Sequence, residues 1–310
     1  MQELLIGLDL GATKILYGVA TLDGDILYKN TLPTNHLQGL NRVLDNMSHI
    51  ITDLINNYGK KGPIKNIVIA SPGPLSYPEK VVLNSPNLNW NRVALEKEMQ
   101  KRLKRPVMVE KDTNVAALGV HYFEEEDKEN LIYITVSTGV GAGLILDGKL
   151  YRGADGGAGE FGHMVVKPSG NICGCGRYGC LETIASGSAI AQDAYRQGLF
   201  PAHVKGLGSK EVGELARQGN LLAQAILDNA LEYLATGVAN LVNIFNPQSI
   251  VLGGGAMLGL QDLWLDELTK QVINSAFSLN TKGLSLKITK LGGDLGLYGC
   301  IGVVRKSYLL

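Results

Sequence analysis

The sequence predicts an α/β protein of two domains in which one arrangement of strands and helices occurs twice. Short apolar runs typical of buried strands alternate with longer amphipathic segments typical of helices. A strand, a small-residue turn, a second strand and a Leu-Asp-Gly hairpin occur at residues 9–28 and again at 137–151, which indicates a duplicated β-meander. Hairpins are common, so chance similarity is the alternative. The 310 residues, 45% of them hydrophobic, suffice for two cores.

The first half begins with three strands, because its apolar runs are separated by a small-residue turn and by Asp23-Gly24, a hairpin signal. Apolar residues then recur at steps of three and four from Leu37, which predicts a long amphipathic helix. The predicted elements are strands 4–8, 15–22, 25–28, 66–70 and 106–110 and helices 37–55 and 93–103.

The second half repeats the meander and then becomes mainly helical. Residues 131–187 contain 14 glycines in 57 positions, which marks a segment where the backbone turns tightly or approaches other atoms closely. The predicted elements are strands 131–136, 144–146, 150–151, 249–252 and 286–288 and helices 182–195, 221–243, 258–276 and one from about residue 295.

Charge and targeting signals exclude several classes of function. The 29 basic residues balance the 29 acidic ones, so we expect no surface for nucleic acid or an anionic membrane, and a small neutral partner instead. The N-terminus has no basic region before an apolar stretch, and no apolar run reaches about 18 residues, so we expect a cytoplasmic protein. Three of the four cysteines are clustered, which favours a metal site over disulfides.

Three small-residue turns follow predicted strands and are suited to phosphate binding. The first, residues 9–14, adds the carboxylate of Asp9, which can orient a hydrated cation. The second, residues 137–143, has three glycines. It is not a P-loop, because no Gly-Lys-Ser/Thr ends it, and it fits a dinucleotide-binding fingerprint poorly, because a strand and not a helix follows. The third, residues 253–255, joins a strand to a helix. Each alone could be an ordinary loop, but their number favours a ligand site.

Two groups of side chains add candidate chemistry. His163, Cys173, Cys175 and Cys180 predict a structural zinc site, because four such ligands complete a tetrahedral shell and leave no place for a water nucleophile; unligated loop cysteines are the alternative. Asp112 begins a predicted helix and can take a proton from a substrate hydroxyl, although spacing alone favours a helix cap. Glu160 and Glu182 can bind a polyol, but surface glutamates are the commoner explanation.

Together these motifs resemble the ROK family of sugar kinases, repressors and epimerase-kinase domains, in the actin and hexokinase fold group. The resemblance covers nearly the whole chain, and its most specific part runs from Glu160 to Glu182. It implies an actin-like ATPase (ribonuclease H-like) fold with an interdomain cleft. The implied domains are residues 1–115, joined by a C-terminal helix at 296–310, and residues 116–295, with a zinc loop at 163–180. The motifs that carry the resemblance lie at 9–14, 71–74, 87–90, 112–114, 137–143, 159–163, 173–182, 246–247 and 251–255.

The resemblance implies an ATP-dependent hexose kinase, glucokinase first, with Asp112 as general base, Mg²⁺ with the nucleotide, structural zinc, and a homodimer or homotetramer. His163 is implied to serve both the zinc and the sugar. The residues implied to bind ATP and Mg²⁺ are Asp9, Gly11, Ala12, Thr13, Lys14, Thr138, Gly139, Gly141, Gly254 and Gly255. Those implied to bind the sugar are Asn87, Lys111, Asp112, Glu160, His163 and Glu182.

Two positions depart from the family pattern. Lys111 stands where the family's sugar kinases usually carry asparagine, and because an ammonium only donates hydrogen bonds, it either alters the preferred sugar or turns outward. Ala12 replaces a frequent glycine, a small change that leaves room for phosphate.

The resemblance leaves other functions open. Kinases for fructose, N-acetylmannosamine, mannose or allose are the alternative enzymes, and a non-catalytic sugar-binding regulator is the alternative from another class. A repressor would need a DNA-binding helix-turn-helix before the first phosphate turn; since Asp9 lies near the N-terminus, we expect no DNA binding.

Overall fold

The strands and helices build two layered halves. The structure, a computed structural model, describes residues 2–308 and all their side chains except those of residues 86 and 306–308. The strands are β1 (Leu4–Leu10), β2 (Lys14–Thr21), β3 (Ile26–Pro33), β4 (Ile64–Ser71), β5 (Val82–Ser85), β6 (Trp90–Val93), β7 (Met108–Lys111), β8 (Leu131–Val136), β9 (Val140–Leu146), β10 (Lys149–Tyr151), β11 (Ser249–Gly253) and β12 (Ser285–Ile288). The helices are α1 (Leu40–Tyr58), α2 (Leu95–Leu103), α3 (Asp112–Phe123), α4 (Glu182–Ala185), α5 (Gly187–Arg196), α6 (Ser209–Arg217), α7 (Leu221–Phe245), α8 (Gly255–Ser275) and α9 (Leu295–Tyr308).

Two five-stranded sheets share one topology. The first has the order β3-β2-β1-β4-β7 and the second the order β10-β9-β8-β11-β12. In each, the meander strands are antiparallel. A later strand, β4 or β11, pairs in parallel with the first strand of the meander, and the last strand, β7 or β12, pairs in parallel with that one. The duplicated meander expected from the sequence is therefore confirmed. The central parallel strands β4 and β11 are apolar runs buried on both faces over most or all of their length, as helix-covered parallel strands must be.

Three apolar clusters form the core. One lies in the first half around β1 and α1, and one in the second half around β8, α7 and α8. The third joins residues of both sheets through α3 and α9, for example Leu5, Tyr133, Val115 and Ile301. These two helices cross closely, since a Cβ on Gly119 would lie 2.8 Å from the amide nitrogen of Gly299. The division at residues 115 and 116 stays a prediction.

Several predicted elements need correction. The helix expected at 182–195 is two helices, because Ser186 is extended and its Oγ accepts from the Ala189 amide as the cap of α5. The helix expected from residue 258 begins at Gly255. Two further elements were not predicted: the hairpin of β5 and β6, whose four-residue strands are too short to show a period, and the nine-residue α6.

Within residues 2–308, no helix combines the length and apolar character needed to cross a membrane.

Candidate active site

The turn between β1 and β2 presents backbone donors beside a buried carboxylate. Its ends are joined by a hydrogen bond of 3.0 Å from the Gly11 amide to the Lys14 carbonyl. Among residues 2–308, the amides of Ala12 and Thr13 have no hydrogen-bond partner, so both can donate to an anion. Burial raises the pKa of Asp9 to about 7; the charge of Asp112 also raises it, and Lys14 lowers it.

The turn between β8 and β9 presents donors in the same way but has no charged side chain of its own. The Ser137 amide donates to the Gly139 carbonyl at 2.8 Å, and the Val140 amide donates to Glu182 Oε2 at 2.9 Å. The amides of Thr138 and Gly139 find no acceptor in the described part of the chain. Glu182, predicted to bind sugar, therefore lies against this turn.

The third turn lies beside the second. Gly254 has φ +90°, and a Cβ there would come within 2.5 Å of both Thr135 Oγ1 and the Val136 carbonyl, so this position requires glycine. A Cβ on Gly255 would be 3.9 Å from Ser137 Oγ. The helix α8 begins here, beside the second turn, and the free amides at the start of a helix are suited to an anionic or polar ligand.

Asp112 stands between the first two turns. It is the first residue of α3, and its Oδ1 accepts from the Thr113 amide at 2.7 Å, so it both satisfies a helix-end donor and keeps an oxygen for other partners. Thr113 packs on the second turn, because a Cβ on Gly141 would lie 3.0 Å from Thr113 Cγ2. On the other side, Asp112 interacts electrostatically with Asp9. Burial raises the pKa of Asp112, Lys111 and the Thr113 amide lower it, and Glu160 raises it; the result lies above the ordinary value.

Lys111 lies inside the site. The residue is only 4% exposed, and its Nζ donates to Glu160 Oε1 at 2.8 Å and to the Ala158 carbonyl at 3.0 Å. Of the two expectations for Lys111, the outward-turned side chain is therefore wrong. The other carboxylate oxygen of Glu160, Oε2, is 3.8 Å from His163 Nε2.

A second group of charges fixes the start of α3. Glu110 accepts from Arg152 and Lys80 through Oε2 and from the Lys111 amide and Asn114 Nδ2 through Oε1. Burial alone would raise the pKa of Glu110, but Lys80 and Arg152 outweigh it and hold the pKa below its usual value. Neither Arg152 nor Lys80 was predicted from the sequence as a residue of the site. Both lie far from Glu110 in the chain, so no local pattern could have revealed the pairing.

The four predicted metal ligands lie together. Their ligand atoms are all within 4.8 Å of one another, with 3.5 Å between His163 Nδ1 and Cys173 Sγ and 3.6 Å between the sulfurs of Cys175 and Cys180. Zinc–sulfur bonds of about 2.3 Å in a tetrahedron place two sulfurs about 3.8 Å apart, so the donor set fits zinc. Because His163 Nε2 is directed toward Glu160, Nδ1 is the nitrogen available to the metal.

Asn87 is the predicted site residue least connected to the others. It lies exposed in a short 3-10 turn between β5 and β6. In the described part of the chain, no hydrogen bond or ion pair joins it to Asp112, Glu160 or Glu182. Its role as a sugar ligand stays a prediction.

Comparison with known proteins decides the family. Residues 5–307 of the chain match the sequence model of the ROK family. The chain belongs to the ROK family. Its actin-like ATPase fold is shared by a ROK glucokinase from Streptomyces griseus, solved in complex with glucose and AMPPNP, with a TM-score of 0.81 at 31% identity over 98% of this chain and 99% of that one.

Members of the ROK family with different functions are similar to this chain. A glucokinase from Thermotoga maritima is 32% identical over 97% of this chain and 97% of its own length. A xylose repressor from Caldicellulosiruptor bescii is also 32% identical, over 98% of this chain and 79% of its own length. This ROK protein is therefore a sugar kinase or a regulator.

Proposed function

We propose that this ROK protein is an ATP-dependent hexose kinase, with D-glucose as the first candidate substrate and D-glucose 6-phosphate and ADP as products. The observation that supports the proposal best is the place of Asp112 between two turns with free backbone donors. A base at this point can reach an acceptor hydroxyl while both turns bind the phosphates of the nucleotide.

In the proposed reaction, Asp112 takes the proton of the sugar hydroxyl as its oxygen attacks the γ-phosphorus of ATP. The bond between that phosphorus and the β,γ-bridging oxygen breaks, and ADP leaves. The free amides of Ala12, Thr13, Thr138 and Gly139 would bind phosphate oxygens, supported by Lys14, Gly11 and Gly141. Mg²⁺ would supply charge neutralisation, held near the phosphates with Asp9 orienting its water ligands.

We further infer that zinc binds His163, Cys173, Cys175 and Cys180 and orders the sugar pocket. The metal would fix the ring of His163 through Nδ1, and the ring would then support Glu160. With four protein ligands the metal has no open position, so its contribution is structural. Asn87, Glu160, His163 and Glu182 remain our candidates for hydroxyl binding. Adenosine beside Gly254 and Gly255, the two-domain division and a dimer or tetramer also stay proposals.

A sugar-responsive regulator is the second candidate, because the xylose repressor from C. bescii is as similar in sequence as the glucokinase from T. maritima. A regulator would keep the sugar pocket without needing Asp112 as a base. Turnover therefore separates the two candidates.

The test is release of ADP from ATP with glucose, fructose, mannose, allose and N-acetylmannosamine, each assayed with a coupled enzyme. We expect sugar-dependent ADP release, fastest with glucose, and a loss of about 10² to 10⁴ in kcat for Asp112→Asn with sugar binding retained. Asp147→Asn is the matched control, because Asp147 lies in the second hairpin with φ 51°, a conformation that asparagine tolerates. No ADP release with any sugar would contradict the kinase, and near-normal turnover in Asp112→Asn would contradict the base.

A further inference from the structure

One buried carboxylate, that of Glu110, joins two parts of the candidate site. Its side chain is only 5% exposed, and its two oxygens have different partners. Oε1 accepts from the Lys111 amide and from Asn114 Nδ2, each at 3.0 Å, and both donors belong to the start of α3. Arg152 Nε donates to Oε2 at 2.8 Å, and Arg152 Nη2 lies 2.7 Å from the same oxygen. The carboxylate therefore connects the helix that begins with Asp112 to residue 152.

Arg152 begins a short loop that leads to the candidate sugar-binding residues. The Ala158 amide donates to the Arg152 carbonyl at 3.0 Å, which closes this loop. Beyond it, the Gly159 carbonyl accepts from the Ala142 amide of β9 at 3.1 Å, and Glu160 comes next in the chain. The segment before Glu160 is thus held at its far end by a strand of the second sheet and at its beginning by the side chain of Arg152.

The guanidinium of Arg152 has a defined position. It lies 5.2 Å from the ring centroid of Tyr77, close enough for a cation–π contact, and the side chain is only 21% exposed. Tyr77 is itself connected to the loop, because its amide donates to the Asp155 carbonyl at 2.8 Å. Arg152 is therefore part of a packed cluster, unlike a surface arginine that is free to change rotamer.

The two oxygens of Glu110 allow the two connections to be separated by mutation. The bonds to Oε1 do not involve Arg152, so the start of α3, and with it Asp112, should keep its place when the guanidinium is removed. The loop would lose its connection to Glu110 Oε2. A change of Arg152 should therefore affect the segment that leads to Glu160 more than the candidate base.

We propose that Arg152 is a positioning residue for the sugar: through Glu110 it fixes the loop that leads to Glu160 relative to the helix that begins with Asp112. The inference rests on the proposed kinase function, which assigns Glu160 to the sugar and Asp112 to its reacting hydroxyl. Without Arg152 the loop is less ordered, so a sugar must order it on binding and loses affinity, whereas a bound sugar still meets the base. The expected result is a higher KM for the hexose with little change in kcat.

The test is steady-state kinetics of Arg152→Met, with the hexose and ATP varied in turn. The KM for the hexose should rise about tenfold or more, because about 1.4 kcal/mol of ordering free energy corresponds to a factor of ten, while kcat and the KM for ATP stay within about threefold. Arg152→Lys keeps the charge and one donor, and it should hold the KM for the hexose within about fivefold of wild type. An unchanged KM for the hexose in Arg152→Met would overturn the proposal.

The matched control is Arg102→Met. The side chain of Arg102 is also 21% exposed and also pairs with carboxylates, but it lies in α2. Its loss should leave the KM for the hexose within about twofold of wild type, because it holds no part of the loop. An equal rise of this KM in both variants would reduce Arg152 to a general contribution to stability and would overturn the proposal.

A second measurement does not depend on turnover. Hydrogen exchange of the amides of residues 152–160 should be faster in Arg152→Met, or to a smaller degree in Arg152→Lys if the methionine variant does not fold, with α3 unchanged. Equally faster exchange in α3 would overturn the proposal. If the wild-type protein phosphorylates no hexose, the kinase function fails, and calorimetry of the same hexoses decides about Arg152. About tenfold weaker binding to Arg152→Met would support the proposal, whereas equal affinity, or no binding to either protein, would overturn it.

Discussion

The two halves of this ROK protein share a sheet topology but differ in the connection that follows the meander. In the first half, β3 leads to α1 through residues 34–39; in the second, β10 leads to α4 through residues 152–181. The longer connection holds Glu160, all four metal-binding candidates and the carbonyl that accepts from Lys111. It has few buried apolar side chains, and Ile172 and Tyr178 are 63% and 59% exposed. The six-residue connection of the first half needs little support, and only Thr34 is buried in it, whereas the thirty residues of the second are held by only a few apolar side chains such as Phe161 and therefore require a further device.

The turns of the two meanders differ in a related way. The first turn contains two charged side chains, the buried Asp9 and Lys14 at its end. The second turn contains no charged side chain, and its only carboxylate contact is with Glu182 from α4. The same backbone arrangement thus provides charged side chains in the first turn and only backbone donors in the second.

The largest expected effect comes from removing the proposed zinc site, which would hold the longer connection in place. We expect about one zinc per chain in the wild-type protein, almost none in Cys175→Ser, and a much weaker affinity for sugar, because binding of a structural metal contributes directly to folding. Elemental analysis and sugar calorimetry measure both effects. Cys300→Ala is the control, since Cys300 is buried by β1 and β4 away from the cluster. Full sugar affinity in zinc-free protein would contradict this assignment.

The charged turn should make stability depend on pH in a way that the uncharged turn does not. The native pKa of Asp9 is raised from 3.8 to about 7, so the native state holds this proton more tightly than the unfolded state. The proton on Asp9 therefore stabilises the native state fully below about pH 4, and this stabilisation is lost as the pH rises through about 7. The free energy of unfolding should fall by up to about 4 kcal/mol over this range. The measurement is urea unfolding of the wild-type protein and of Asp9→Asn across this pH range, without Mg²⁺ or nucleotide. The difference between their free energies of unfolding should show this decline. A difference independent of pH would contradict it.

The same contrast should appear in catalysis. Asp9→Asn removes the charge of the first turn and should lower kcat/KM by about 10² to 10³, the usual cost of losing a preorganised electrostatic contact. Glu182→Gln keeps an oxygen that can accept from the Val140 amide, so we expect a loss of about tenfold or less. Steady-state kinetics with the best hexose measures both. Equal losses of kcat/KM in the two variants would contradict the proposal that charge matters more in the first turn than in the second.

The sequence predicted the parts of this architecture that depend on local pattern. The meanders, the long helices α1 and α7 and the cysteine spacing are set by periodicity and turn residues, and each lies close to its predicted place. The direction of Lys111 could not be predicted in this way. Its partner Glu160 is 49 positions away, so the contact depends on the tertiary fold and not on local pattern.

The smallest expected effect concerns how tightly each turn closes. A Cβ on Gly11 would lie 2.8 Å from the Lys14 carbonyl, which belongs to the backbone, so Gly11→Ala must shift the turn and should cost about 1 to 3 kcal/mol. A Cβ on Gly139 would lie 2.5 Å from Glu182 Oε2, the far end of a side chain that can rotate away. We therefore expect Gly139→Ala to cost less than about 1 kcal/mol in urea unfolding. A larger cost for Gly139→Ala than for Gly11→Ala would mean that the bond from the Val140 amide to Glu182 holds the second turn as firmly as backbone closure holds the first.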